Sequence, residues 1–130
     1  MAVELSDEPD YVIGFGWAYN HFGDRARNDE QLDKALEWYG KTIEILGPAT
    51  ENYPERDDAK NGLRHAHWER GHTLTKLKRH AEAVTEFNRA GALSAKSSGD
   101  WFNALSYRAL SRVRAGQIEL ALRDTEAMLK

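Results

Sequence analysis

The sequence predicts an all-α fold, an α-solenoid of about three antiparallel helical hairpins. Three observations predict it. Apolar residues recur at helical spacing in six segments, turn and capping residues separate those segments, and no stretch alternates as a half-buried strand does. Tyr11-Val12-Ile13 is the nearest strand candidate, and it runs directly into a helical pattern.

The first segment spans residues 7–22. Asp7 is read as its N-cap and Pro9 suits a first turn, while Val12, Phe15, Gly16 and Tyr19 follow at helical spacing and Gly23 stops it. The second begins at Asn28, with Gln31 placed to complete a capping box. Leu32, Ala35, Leu36, Tyr39, Ile43 and Leu46 form its stripe, and Gly47-Pro48 ends or kinks it. Residues 48–56 read as a connection. The third segment, residues 57–77, carries Leu63, Ala66, Arg70, Gly71, Leu74 and Leu77. The fourth, residues 80–95, turns Ala83, Val84, Phe87 and Ala90 one way. Ser97-Ser98-Gly99-Asp100 is a capping loop before the fifth segment, residues 101–115, where Trp101 is read as a staple. Gly116 precedes the sixth, residues 118–129, with Ile118, Ala121, Leu122 and Leu129.

Composition bounds the function. A chain of 130 residues suits one compact domain or a few small repeats. Eighteen basic against 21 acidic residues leave a formal charge of −3, which argues against a dedicated nucleic-acid binder. The absence of cysteine excludes disulfides, thiol catalysis and Cys-type zinc sites. The longest apolar stretches fall far below the roughly 20 residues of a membrane span. Residues 1–10 have neither a basic start nor an apolar core, so no signal peptide is expected and the expected location is the cytoplasm.

Hairpins in series invite a search for repeats. Segments beginning at Asp33, His80 and Gln117 superpose with Ala35, Ala83 and Ala121 in register. Tyr39 and Phe87 each follow that alanine by four residues, and Gly71 and Ala109 precede theirs by twelve. In the first segment the matching small residue is read as Gly16, nineteen upstream, beside Trp17-Ala18-Tyr19. Glycine inside a helix costs about 1 kcal/mol against alanine, so Gly16 and Gly71 call for a packing reason, and close approach of two helices supplies one.

This pattern resembles the tetratricopeptide repeat, with a small residue, then an aromatic, then Ala-x-x-x-Phe on the second helix. Gly16, Tyr19, Ala35 and Tyr39 form one match. Gly71, Leu74, Ala83, Phe87 and Ala90 form the best, and Ala109 with Ala121 the weakest. The repeats are read as residues 9–47, 57–95 and 101–130 of a single domain covering residues 1–130. Their period is 48 and then 38 residues, against 34 in the family. The segments around Leu32, Leu63 and Leu77 also look like the repeat region that follows the catalytic domain in some bacterial serine/threonine kinases. The chain itself carries none of the kinase catalytic motifs.

The resemblance implies a non-catalytic module that binds a peptide or partner surface in a concave groove. The groove positions carried over are Trp17, Asn20 and His21, then His65, Trp68, His72 and Lys76, then Asn103 and Arg114. Thr75, Ser106, Leu110 and Val113 accompany them. Two readings of Trp17 and Trp68 stay open, groove contact or packing between adjacent helices. Lys76, Arg114 and the histidines, with Asp10 as the acid at the edge, point to an acidic segment or a terminal carboxylate as ligand. The lysine/asparagine clamp of chaperone-binding members is not reproduced, since Ile13 and Trp17 take its first two places. No cofactor is expected. His65 and His67 are two residues apart rather than four, so no metal is expected either. Gly14-Phe15-Gly16 lacks the third glycine of a phosphate loop, and Asp7-Glu8 and Asp57-Asp58 suit helix starts rather than catalysis. The alternative function is a self-associating scaffold. Leu120, Met128 and Leu129 have no following helix to cover them, which points to a homodimer through the last helix.

Overall fold

The structure is a computed structural model that describes residues 8–129. Asp7, read above as a cap, and Lys130 lie outside the described residues. Among those residues the fold is all-helical: α1 (Glu8–Asn28), α2 (Leu32–Asn52), α3 (Asp57–Lys76), α4 (His80–Ala92), α5 (Gly99–Arg114) and α6 (Ile118–Leu129). They form two compact units divided between Ala66 and His67, within α3.

The three short turns are built alike. After α1, the N–H of Gln31 donates to the carbonyl of Ala26, and that of Glu30 to Arg27. After α3, Arg79 donates to Leu74 and Lys78 to Thr75. After α5, Gln117 donates to Arg112 and Gly116 to Val113. The central residue of each turn takes the left-handed backbone, with φ of 60° at Glu30, 62° at Lys78 and 83° at Gly116. This is the paired-bond ending that satisfies the last free carbonyls of a helix. The alanine four residues after each N-cap closes the next helix onto it, Ala35 to Gln31, Ala83 to Arg79 and Ala121 to Gln117.

Several predicted boundaries move. Gly23 does not stop α1. It lies inside the helix, where an added Cβ would stand 2.6 Å from the Tyr39 ring. Asn28 closes α1 instead of opening α2, and Gln31 at the N-cap makes no side-chain cap bond. Pro48 neither ends nor interrupts α2, which runs on to Asn52 with Leu46 and Ala49 buried on either side. α4 is shorter than predicted, ending at Ala92, and α5 starts at Gly99, where the Ser98 hydroxyl accepts from the N–H of Trp101 at 3.1 Å.

In the first unit the core gathers around Ala26, Ala35, Tyr39 and Ala66, with Trp38 and Ile43 packed against it. α1 and α2 meet closely at two glycines, Gly16 against Leu46 and Gly23 against Tyr39. In the second unit Phe87 is fully buried, with Leu74, Ala83 and Ala90 in the core beside it. An added Cβ at Gly71 would stand 2.8 Å from the Phe87 ring. Gly23 is therefore the counterpart of Gly71. Each lies twelve residues before its alanine and faces the aromatic four residues after it. The spacing from small residue to alanine is then twelve in all three helical pairs, in place of the nineteen read from Gly16. α6 departs from its predicted stripe: Ala121 and Asp124 are buried, while Ile118, Leu122 and Leu129 are exposed.

Candidate functional site

Within the first unit, α1 and the first half of α3 lie together. The Trp17 indole N–H donates to the Asp58 carbonyl at 3.1 Å, and its ring lies 5.8 Å from His65 and 6.4 Å from the exposed His21. Asn20, predicted on the groove, is fully buried: its Nδ2 donates to the Gly62 carbonyl at 2.9 Å. Trp17 thus lies against α3, where a Cβ added at Gly62 would stand 3.1 Å from its indole nitrogen.

His65 is committed to a neighbour that sequence reading missed. Its Nε2 lies 3.0 Å from the Asp24 carboxylate, and the Tyr39 hydroxyl donates to the same carboxylate. Burial pushes the Asp24 carboxyl up, but the bonds from His65 and Tyr39 outweigh it and hold the carboxyl below its ordinary value. Burial, and then the Asp24 carboxylate, raise the Tyr39 hydroxyl far above the usual phenol range. Asp10, the predicted acid at the groove edge, is paired with Arg56 at 2.8 Å.

The second unit brings more of the predicted residues together. Trp68 and His72 on α3 and Tyr107 on α5 close into one cluster with Phe87 of α4. His72 lies 4.5 Å from both the Trp68 and Tyr107 rings, and Trp68 lies 5.2 Å from Tyr107. Phe87 lies beneath at 5.1–5.6 Å. Phe87 stacks on Tyr107 and the other pairs are edge-to-face, and aromatic pairs in either arrangement are each worth about 0.5–1.5 kcal/mol beyond area burial. Trp68 thus packs between α3 and α5, yet it and His72 stay half-buried and Tyr107 is exposed. Lys76 and Thr75 continue the row along α3. Asn103, Ser106, Leu110, Val113 and Arg114 occupy exposed positions on α5. Arg114 also lines a shallow depression of about 310 Å³ with Lys78, Arg79, His80 and Glu82. Glu82 is bonded to the Arg79 guanidinium, which holds its carboxyl below the usual range. Tyr107 was missed as a site residue, and its signal was available: it lies four residues after Asn103 on the same helix.

His67 behaves differently from the other histidines. It is buried, with Nδ1 2.7 Å from Glu86, whose other oxygen accepts from Arg70 at 3.1 Å. Among the described residues no group of three or more His, Cys, Asp or Glu side chains is placed to hold a metal ion, and no helix is long and apolar enough to cross a membrane. No family model matches the chain, and no curated protein matches it.

Proposed function

We propose that the chain is a non-catalytic protein-interaction module, a solenoid of three tetratricopeptide-like hairpins that binds an acidic peptide segment or a terminal carboxylate. The three turns built alike, and the glycine–aromatic register shared by α1–α2 and α3–α4, support the repeat reading. The ligand surface is the face of the second unit that carries Trp68, His72 and Lys76 on α3 and Asn103, Tyr107 and Arg114 on α5. One observation carries this choice: partly exposed rings cluster on α3 and α5, and a depression beside the ends of these two helices is lined by Lys78, Arg79, His80, Glu82 and Arg114, with Glu82 held by Arg79. Rings supply apolar contact area and an anchor, and the cations of the depression orient a negative group. The resemblance to kinase-linked repeat regions makes such a module a docking or sensor element for a bacterial serine/threonine kinase.

The test is selection from an immobilised peptide library with free C-termini, wild type beside Lys76→Glu/Arg114→Glu. Both substituted residues are exposed, so the thermal melt is expected to hold. Wild type should enrich peptides with acidic ends, and the variant should lose them. Equal enrichment by both proteins would move the ligand surface elsewhere.

A further inference from the structure

The depression beside the ends of α3 and α5 is electrostatically unbalanced. Lys78, Arg79, His80, Glu82 and Arg114 line it. Arg79 and Glu82 are spent on each other, since the guanidinium donates to both carboxylate oxygens, one of them at 2.7 Å. Lys78 and Arg114 are not. Both are exposed, and among the described residues neither side chain has a hydrogen bond or an ion pair. Two positive charges are left over. A carboxylate would neutralise one of them. A phosphate monoester carries about −1.5 to −2 charges at pH 7 and three strong acceptor oxygens. The planar Arg114 guanidinium can take two of those oxygens side by side, and the Lys78 ammonium, a compact point charge, the third. Tyr107 adds a second contact. It lies seven residues before Arg114 on α5, so the two share a helix face about 10 Å apart at 1.5 Å per residue. Tyr107 is exposed, and its ring packs 5.2 Å from the half-buried Trp68. An extended peptide covers that distance in about three residues.

We infer that the preferred ligand is a phosphorylated peptide. Its phosphoryl group seats between Lys78 and Arg114, and an apolar side chain about three residues away lies on Tyr107 and Trp68. The inference rests on the peptide-binding reading of this face and names the anion, which that reading leaves as any acidic group. A phosphoryl group is selected over a carboxylate because the unspent charge is two rather than one. A peptide is selected over a free phosphate because exposed rings lie on the same helix face as Arg114.

Retention on immobilised pools of degenerate nonapeptides tests it. Three pools are amidated at the C-terminus and carry phosphoserine, glutamate or serine at the centre. A fourth has a serine centre and a free terminal carboxylate. Wild type should be retained at least about tenfold better by the phosphoserine pool than by the glutamate or carboxylate pool, the worth of one further charge-assisted hydrogen bond. The retained phosphopeptides should be enriched in apolar residues about three positions from the phosphoserine. Lys78→Gln/Arg114→Gln should lose the preference with an unchanged thermal melt, both positions being exposed. Lys34→Gln/Lys60→Gln removes as much charge from exposed positions of the first unit and should keep it. Equal retention by the phosphoserine and carboxylate pools overturns the phosphoryl assignment and leaves the acidic-peptide reading standing. Retention by none of the pools overturns both. A preference that the control variant also loses overturns the inference, since net charge and not the depression is then responsible. So does inorganic phosphate that displaces the protein as effectively as free phosphopeptide, because the flanking residues then contribute nothing.

Discussion

The first helical pair and the later two fill the same position with opposite chemistry. In α1–α2 the position holds Phe22 against Trp38, with ring centroids 4.9 Å apart, and Tyr19 stacks on the same indole. In α3–α4 the register brings Arg70 to Glu86, and in α5–α6 it brings Arg108 to Asp124. All three pairs join residues sixteen apart. Asp124 also accepts from Arg112 and is buried, as is Glu86. The geometry of the helical pair therefore sets the position, and either apolar area or a hydrogen-bonded ion pair satisfies it. The two solutions differ in how they fail. An aromatic pair loses contact area when cut, whereas a buried charge pair leaves its surviving partner desolvated and unpaired.

The largest effect should come from cutting the charge pair. Asp124→Ala leaves Arg108 and Arg112, with side chains 15% and 18% exposed, without their carboxylate. A loss of about 3 kcal/mol is expected in urea unfolding. Replacing Arg108, Arg112 and Asp124 together by leucine should recover most of that loss. If Asp124→Ala costs no more than an average surface change, the comparison with the aromatic pair breaks.

Next comes close approach. Gly71→Ala pushes a methyl group to 2.8 Å from the Phe87 ring, so it should destabilise by about 1–3 kcal/mol despite better helix propensity. Gly40→Ala meets nothing within 4 Å and should stabilise by up to about 1 kcal/mol. Thermal melts of the two variants moving in opposite directions would sharpen the assignment of Gly71 as a packing position.

A smaller, pH-dependent effect belongs to the first unit. Asp24→Asn weakens the bonds from Tyr39 and His65, and about 1 kcal/mol should be lost near neutral pH. The folded-state carboxyl of Asp24 is held below its ordinary value of 3.8. Its contribution is therefore complete above that value and fades as pH falls through the lower folded-state value. Wild type and Asp24→Asn should thus converge in stability toward low pH, and parallel curves would remove Asp24 from the acid response.

The smallest effect tests the turns. Glu30 and Lys78 hold a left-handed backbone that Gly116 takes freely. Lys78→Gly should stabilise by less than about 1 kcal/mol, because relief of the strained φ is partly offset by the entropy glycine loses on folding. Gly116→Ala should destabilise.

Helix number, the alanine register and the aromatic at Phe87 were legible because each follows local periodicity. Gly23 was not. A glycine after an apolar run reads as a stop, and only the Tyr39 ring packed against it explains why it sits mid-helix. The partners of His65, Asn20 and the two buried acids were illegible for the same reason. Their bonds cross between helices, so they depend on which faces meet. Of the predicted groove residues, Trp68 and His72 come together in one cluster, Lys76, Asn103 and Arg114 occupy exposed positions, and Asn20 is spent on packing.

By itself the sequence determined six helices, their order and a recurring small residue–alanine–aromatic register, since propensity, capping and period 3.6 act within a few residues. Tertiary structure alone decided that Gly23 and not Gly16 keeps the register, that Asp24 occupies His65, and that Ile118, Leu122 and Leu129 stay uncovered. Those outcomes depend on which surfaces are brought within contact distance. The desolvation and packing energies that settle them are not written in any local window of the chain.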